Sequence, residues 1–150
     1  MNIDTKYFGS IEIDDKEIIN FPLGVPGFTS EKRFVLLPLE DNPLFQVLQS
    51  TSNTDPAFIV VNPYHFLREY AFDIDDSTIE LLEIESEKDV SVLSIVSLKN
   101  PFEESTINLQ APVVINPTKN VAKQYVTNSK VYTTREGIFS NQPSFQVKGD

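Results

Sequence analysis

The chain has 150 residues, 40% of them hydrophobic, with a formal net charge of −10 and a pI near 4.5. That length fits a single domain able to bury about two-thirds of its unfolded surface, and a field of that sign repels nucleic acid rather than steering it in. With no cysteine, a disulfide framework and a thiolate metal site are both excluded.

The charge is unevenly placed. Residues 73–89 hold eight acidic side chains against one lysine, whereas residues 105–150 hold five basic and two acidic ones. Acidic surfaces keep proteins soluble whatever their task; the sharper reading is a basic protein partner. The start, Met1-Asn2-Ile3-Asp4, lacks the basic residues and apolar run of a signal peptide, and apolar runs such as 57–61 are too short to span a bilayer. The expectation is a soluble cytoplasmic protein with no membrane partner.

Short β-branched and aromatic segments broken by turn residues recur along the chain. Residues 3–8 and 10–13 flank Gly9 and read as a hairpin, and 17–21 leads into the loop Phe21-Pro22-Leu23-Gly24-Val25-Pro26-Gly27-Phe28. Two prolines fix φ there and two glycines free it, so the loop holds one rigid shape able to seat its aromatic rings. It is a wall of the core or a preformed docking surface, and its rigid flanks favour burial of Phe28. Strands are predicted at 33–39, 44–50 and 57–62, separated by Asx-Pro and Ser/Asn turn formers.

Asp76 or Ser77 caps one predicted short helix, with Glu80 three residues after Ser77 as in a capping box and with Ile79 and Leu82 on one face. Residues 90–98 then form the clearest strand, apolar on both faces and therefore central. Strands at 113–116, 123–127 and 132–138 bring the count to about ten. The pattern is lost after residue 139, and 140–150 is expected to be a mobile tail on a single domain spanning 1–139. Regular short strands with one short helix imply an all-β antiparallel barrel or sandwich.

Tests for chemistry find little. His65 is the only histidine and follows Asn62-Pro63-Tyr64 at a turn; no Gly-x-Ser-x-Gly elbow exists to present a nucleophile to it. The run Asp73-Ile74-Asp75-Asp76 lacks the glycine and glutamate of a calcium-binding loop. Asp14-Asp15 and Glu103-Glu104 are adjacent pairs, which point to different sides of a strand and do not converge. Pro26 removes an amide from the only glycine pair that could cradle phosphate. No catalytic residue, metal ligand or cofactor is assigned.

Loop aromatics are the stronger signal. Phe28, Tyr64 and Phe102 lie beside or near prolines, and Glu103 and Glu104 would give Phe102 an acidic rim. Aromatic anchors dominate the energy of protein interfaces, while a plug at one end of a barrel is the commoner fate of such a ring. Glu80, Glu83, Glu85 and Glu87 form the acidic face that would meet a basic partner.

A further block, Thr106-Ile107-Asn108-Leu109-Gln110-Ala111-Pro112-Val113-Val114-Ile115-Asn116-Pro117, joins the Pro/Gly loop, Leu48-Gln49-Ser50 and Asp55-Pro56-Ala57-Phe58-Ile59-Val60-Val61-Asn62-Pro63. In order and spacing, from about Phe8 to Phe139, the chain resembles the flagellar assembly factor FliW family. Matching positions include Phe21, Pro22, Gly24, Pro26, Gly27 and Phe28, then Gln49, Ser50, Pro56, Phe58, Asn62 and Pro63, then Asn108, Leu109, Ala111, Pro112, Ile115 and Asn116. Val25 stands where the family accepts isoleucine, and Ile107 replaces the usual alanine. The resemblance implies a barrel-like fold and a non-enzymatic protein that binds flagellin and the translational regulator CsrA, coupling flagellin synthesis to secretion. Asn108 and Asn116 enter the candidate contacts on this ground. The competing readings are a hydrolase built on a carboxylate pair and a structural subunit of a larger assembly.

Overall fold

Alternation decides the architecture. The computed structural model describes residues 1–138, and along its strands successive side chains enter different apolar clusters, as the period of two in a strand requires. The strands are β1 (Asn2–Thr5), β2 (Gly9–Glu12), β3 (Ile19–Asn20), β4 (Arg33–Pro38), β5 (Phe45–Ser50), β6 (Ala57–Val61), β7 (Ser91–Ser97), β8 (Thr106–Ile107), β9 (Val113–Asn116), β10 (Val121–Gln124) and β11 (Glu136–Gly137). One helix, α1 (Asp76–Leu81), lies between β6 and β7.

Seven strands close on themselves in the order β3-β4-β5-β6-β7-β9-β10, with β10 returning to β3. Pairing is antiparallel everywhere except at that closing seam, where Val121 meets Asn20 in parallel. Closure removes the free edges that would otherwise template aggregation. β8 and β11 extend the sheet beyond β7, and β1 with β2 forms a separate hairpin. The expected all-β barrel-like fold with one short helix is therefore the observed one.

Phe21, Phe34, Leu48, Val60, Leu93, Val113 and Ile115 form one cluster, which fills the barrel. Their neighbours in sequence point outward into three others. Val47, Ile59, Val61, Val92 and Val96 meet Tyr70, Ile107, Leu109 and Ile138. Val35 packs under the hairpin on Ile3, Ile13 and Ile18, and Val114 with Val121 packs on Leu82 and Tyr125. β7 is buried on both faces, as a central strand should be.

Several boundaries differ from expectation for local reasons. The hairpin strands end at Thr5 because its hydroxyl accepts from the Phe8 amide at 2.8 Å, which turns the chain and leaves Tyr7 and Phe8 at the surface. Asp75, rather than Asp76 or Ser77, caps α1. Its carboxylate accepts from the Thr78 amide at 2.9 Å, and hydrogen bonds from Thr78 hold it below its ordinary pKa. Only Glu136–Gly137 of the expected strand at 132–138 pairs, against Ile107 and Thr106. The tail expected at 140–150 lies outside the described residues.

Candidate functional site

A concave surface begins where β6 ends. Asn62 accepts a hydrogen bond from the Tyr64 amide at 2.9 Å, and Pro63 opens a 3-10 turn over Pro63–His65. That turn carries Tyr64 to the surface, 38% exposed. The Tyr64 ring lies 5.6 Å from that of Tyr70, which is buried and donates its hydroxyl to the Leu109 carbonyl at 2.5 Å. Tyr70 in turn meets Phe72 at 5.4 Å and Tyr132 at 4.7 Å, and Phe72 stacks on Tyr125 at 5.9 Å. Five rings thus form one contiguous group, in tilted, edge-on and stacked arrangements.

Hydroxyls tie that group to the backbone. Tyr125 donates to the Asp73 carbonyl and accepts from the Asp75 amide, each at 3.0 Å, and Tyr132 accepts from the Ala71 amide at 3.1 Å. Burial pushes the Tyr70 phenol up, with smaller contributions from Tyr64 and Tyr132. Tyr64 is raised by burial first and Tyr132 second. These rings are therefore neutral hydrogen-bonding walls, poorly suited to proton transfer near neutral pH.

Between this aromatic wall and the backbone of 87–92 runs a groove of about 570 Å³, lined by Tyr64, Tyr70, Phe72, Val90 and Glu87 among others. A neighbouring hollow of about 360 Å³ shares Phe72, Ile74, Glu87 and Val90 with it and adds Asp73, Ile84 and Glu85. Among the described residues, no lysine or arginine lines either one. The acidic bank is held in place by Asp89, whose carboxylate accepts from the amides of Glu85 and Ser86 at 2.9 and 3.1 Å.

The structure thus brings Tyr64 and Glu87 into one groove, with Glu85 in the adjoining hollow, and scatters the remaining candidates. Glu80 and Glu83 are exposed on and after α1, and Glu83 pairs loosely with Lys119 at 3.8 Å. Phe102 packs on Phe45 at 5.9 Å within the 3-10 turn Phe102–Glu104, so Glu103 and Glu104 do flank a half-exposed ring. Asn108 folds back to accept from the amides of Gln110 and Ala111. Asn116 is buried and donates to the carbonyls of Leu82 and Glu83 at 2.9 and 3.2 Å.

Phe28 corrects an expectation. It is 43% exposed rather than buried, and its ring meets that of Phe58 at 6.0 Å. The buried residues of the loop are Phe21, Gly24 and Val25, and the final ring rides on the rim. Tyr70, Phe72 and Tyr132 had no place among the sequence candidates. The alternation Tyr70-x-Phe72-x-Ile74 immediately before the acidic run was the available signal. Among the described residues no group of three or more His, Cys, Asp or Glu side chains could hold a metal ion.

The model of the family described as FliW protein matches residues 2–138. The chain belongs to the FliW family. A protein of Oceanobacillus iheyensis named flagellar assembly factor FliW is 51% identical over 140 residues, covering 93% of this chain and 95% of its own. The Bacillus subtilis protein of that name is 46% identical over 138 residues, with coverage of 92% and 96%. A crystal structure of the flagellar assembly factor FliW superposes with a TM-score of 0.90 at 41% identity, covering 95% of this chain and 99% of that one.

In this FliW-family chain the motif residues mostly build the barrel. Gly24 has φ +72°, and a Cβ there would lie 2.5 Å from the Thr29 carbonyl oxygen, so only glycine fits. Gln49 is fully buried; its amide donates to the carbonyls of Ser50, Asn53 and Thr54, and its oxygen accepts from the Lys6 amide. Ser50 bonds Glu31, which also accepts from Asn53.

Proposed function

We propose that this protein is a non-catalytic flagellar assembly factor of the cytoplasm that binds flagellin and the translational regulator CsrA. Newly made flagellin holds it; as flagellin is secreted, the freed protein binds CsrA and relieves repression of flagellin synthesis. The family match over residues 2–138 supports the flagellar role. The single structural observation that carries a protein-binding mode is the groove of aromatic rings banked by Glu85 and Glu87. Rings that bury area at low entropic cost, rimmed by charge, are the makings of a protein interface. Tyr64, Glu85 and Glu87 are the proposed central contacts. Phe28 and the Phe102–Glu104 turn offer further apolar anchors, and Glu80 and Glu83 extend the acidic face.

The acidic field bears on the regulatory step as well, because a complex carrying it disfavours a phosphate backbone. Titration of the purified protein should give a stoichiometric complex with CsrA and another with flagellin, and its addition should weaken CsrA's hold on the flagellin message in a gel-shift assay. CsrA–RNA binding left unchanged by a large excess would sink the proposal. A hydrolase would bind neither partner.

A further inference from the structure

The groove has a property that a merely apolar slot lacks. Its walls present the rings of Tyr64, Tyr70 and Phe72, its bank carries Glu87, and Glu85 and Asp73 stand at the adjoining hollow. Ring faces are electronegative and attract cations held within about 6 Å. Carboxylates of this density beside them select the same sign. The chain already uses such a contact nearby, where Lys123 lies 5.8 Å from the centroid of Tyr125, the ring stacked on Phe72. Among the described residues, no basic side chain lines the groove itself.

We infer that this groove is a docking site for a peptide segment that seats a lysine or arginine among the rings, with aliphatic residues of the segment against Val90 and Ile74. The inference rests on the reading of the protein as one that binds other proteins. It adds which side-chain chemistry the groove selects. The carboxylate of Glu87 borders both hollows, so it can meet a guanidinium or ammonium whose stem lies over Phe72. A bare apolar peptide would leave that carboxylate desolvated and unpaired, which opposes its binding.

The chain contains no tryptophan, so a tryptophan placed in a peptide reports binding without background. The probe is an amidated ten-residue peptide alternating arginine and leucine with one tryptophan, compared with its glutamine-for-arginine counterpart. At low ionic strength the arginine peptide should bind about tenfold or more tightly than the glutamine one. Glu87→Gln and Tyr64→Leu should each weaken the arginine peptide several-fold and leave the glutamine peptide unaffected. Glu12→Gln, which removes the same charge from β2, should change neither.

Equal affinity for the two peptides would overturn the inference, as would a loss with Glu12→Gln that matches the loss with Glu87→Gln, since the overall field alone would then explain binding. The same variants are tested against whole flagellin and CsrA. If the peptides fail while both proteins bind the wild type, the groove assignment falls and the functional reading stands. If the arginine peptide binds and neither protein does, the functional reading falls.

Discussion

Phe28 shows how little a residue's type says about its energetic weight. Its ring meets Phe58 edge-on at 6.0 Å and interplanar 73°, yet 43% of the residue is exposed. Such an aromatic pair contributes about 0.5–1.5 kcal/mol beyond area burial, far below the 3–5 kcal/mol of a core phenylalanine. Phe28→Ala should therefore lower stability by about 1–2 kcal/mol in urea unfolding, with the m-value unchanged. A loss of core size would show that the ring is buried in solution. Should partner affinity fall more than stability does, Phe28 is a docking anchor.

The segment around α1 owes its position to tertiary contacts more than to helix propensity. Six residues are too few for a stable isolated helix. Leu82 is fully buried against Val114, Val121 and Tyr125, and Asn116 at the end of β9 takes the carbonyls left over at the helix C-terminus. Its oxygen meanwhile accepts from the amides of Thr118 and Lys119, shaping the turn into β10. Asn116→Ala strands polar groups on both sides, at a cost of about 1–3 kcal/mol. Hydrogen exchange should report the effect as faster exchange at Leu82 and Glu83 and in the 117–120 turn, with the β4–β5 ladder preserved. Uniform acceleration across the barrel, or none, would refute this local role.

At the scale of the whole molecule, the net charge of −10 and the concentration of acid in 73–89 govern encounter more than folding. Glu80, Glu83, Glu85 and Glu87 are all exposed, and the one described ion pair among them spans 3.8 Å between half-exposed partners. Exposed pairs of this kind contribute less than about 1 kcal/mol. Replacing the four glutamates by glutamine should leave the melting temperature nearly unchanged. It should slow association with CsrA and flatten the salt dependence of the on-rate, because steering by complementary charge acts on approach. Wild-type association rates at low ionic strength would reduce the segment to a solubility feature.

Much of the barrel was legible in the chain itself. Short β-branched and aromatic runs at 33–38, 45–50 and 91–97 determine strands, and the turn formers between them determine where they stop. The turns of the Pro/Gly loop have equally local causes, since Gly24 and Gly27 adopt the positive φ that glycine allows. Caps were legible only as a choice among neighbours. The sequence offered Asp76 or Ser77, but the cap is Asp75, whose register is favoured by the bond from its amide to the Tyr125 hydroxyl, fifty residues away. The candidate site was least legible. A loop aromatic is buried or exposed according to what the distant chain lays over it. The Phe28 ring meets the ring of Phe58, whereas that of Tyr70 meets Tyr64, Phe72 and Tyr132. Local sequence determined the strands and turns because their hydrogen bonds and side-chain periods are local. Only closure of the seven-stranded ring, which carries residues 62–75 across the face of 84–92, gathered those rings and glutamates around a groove and its adjoining hollow.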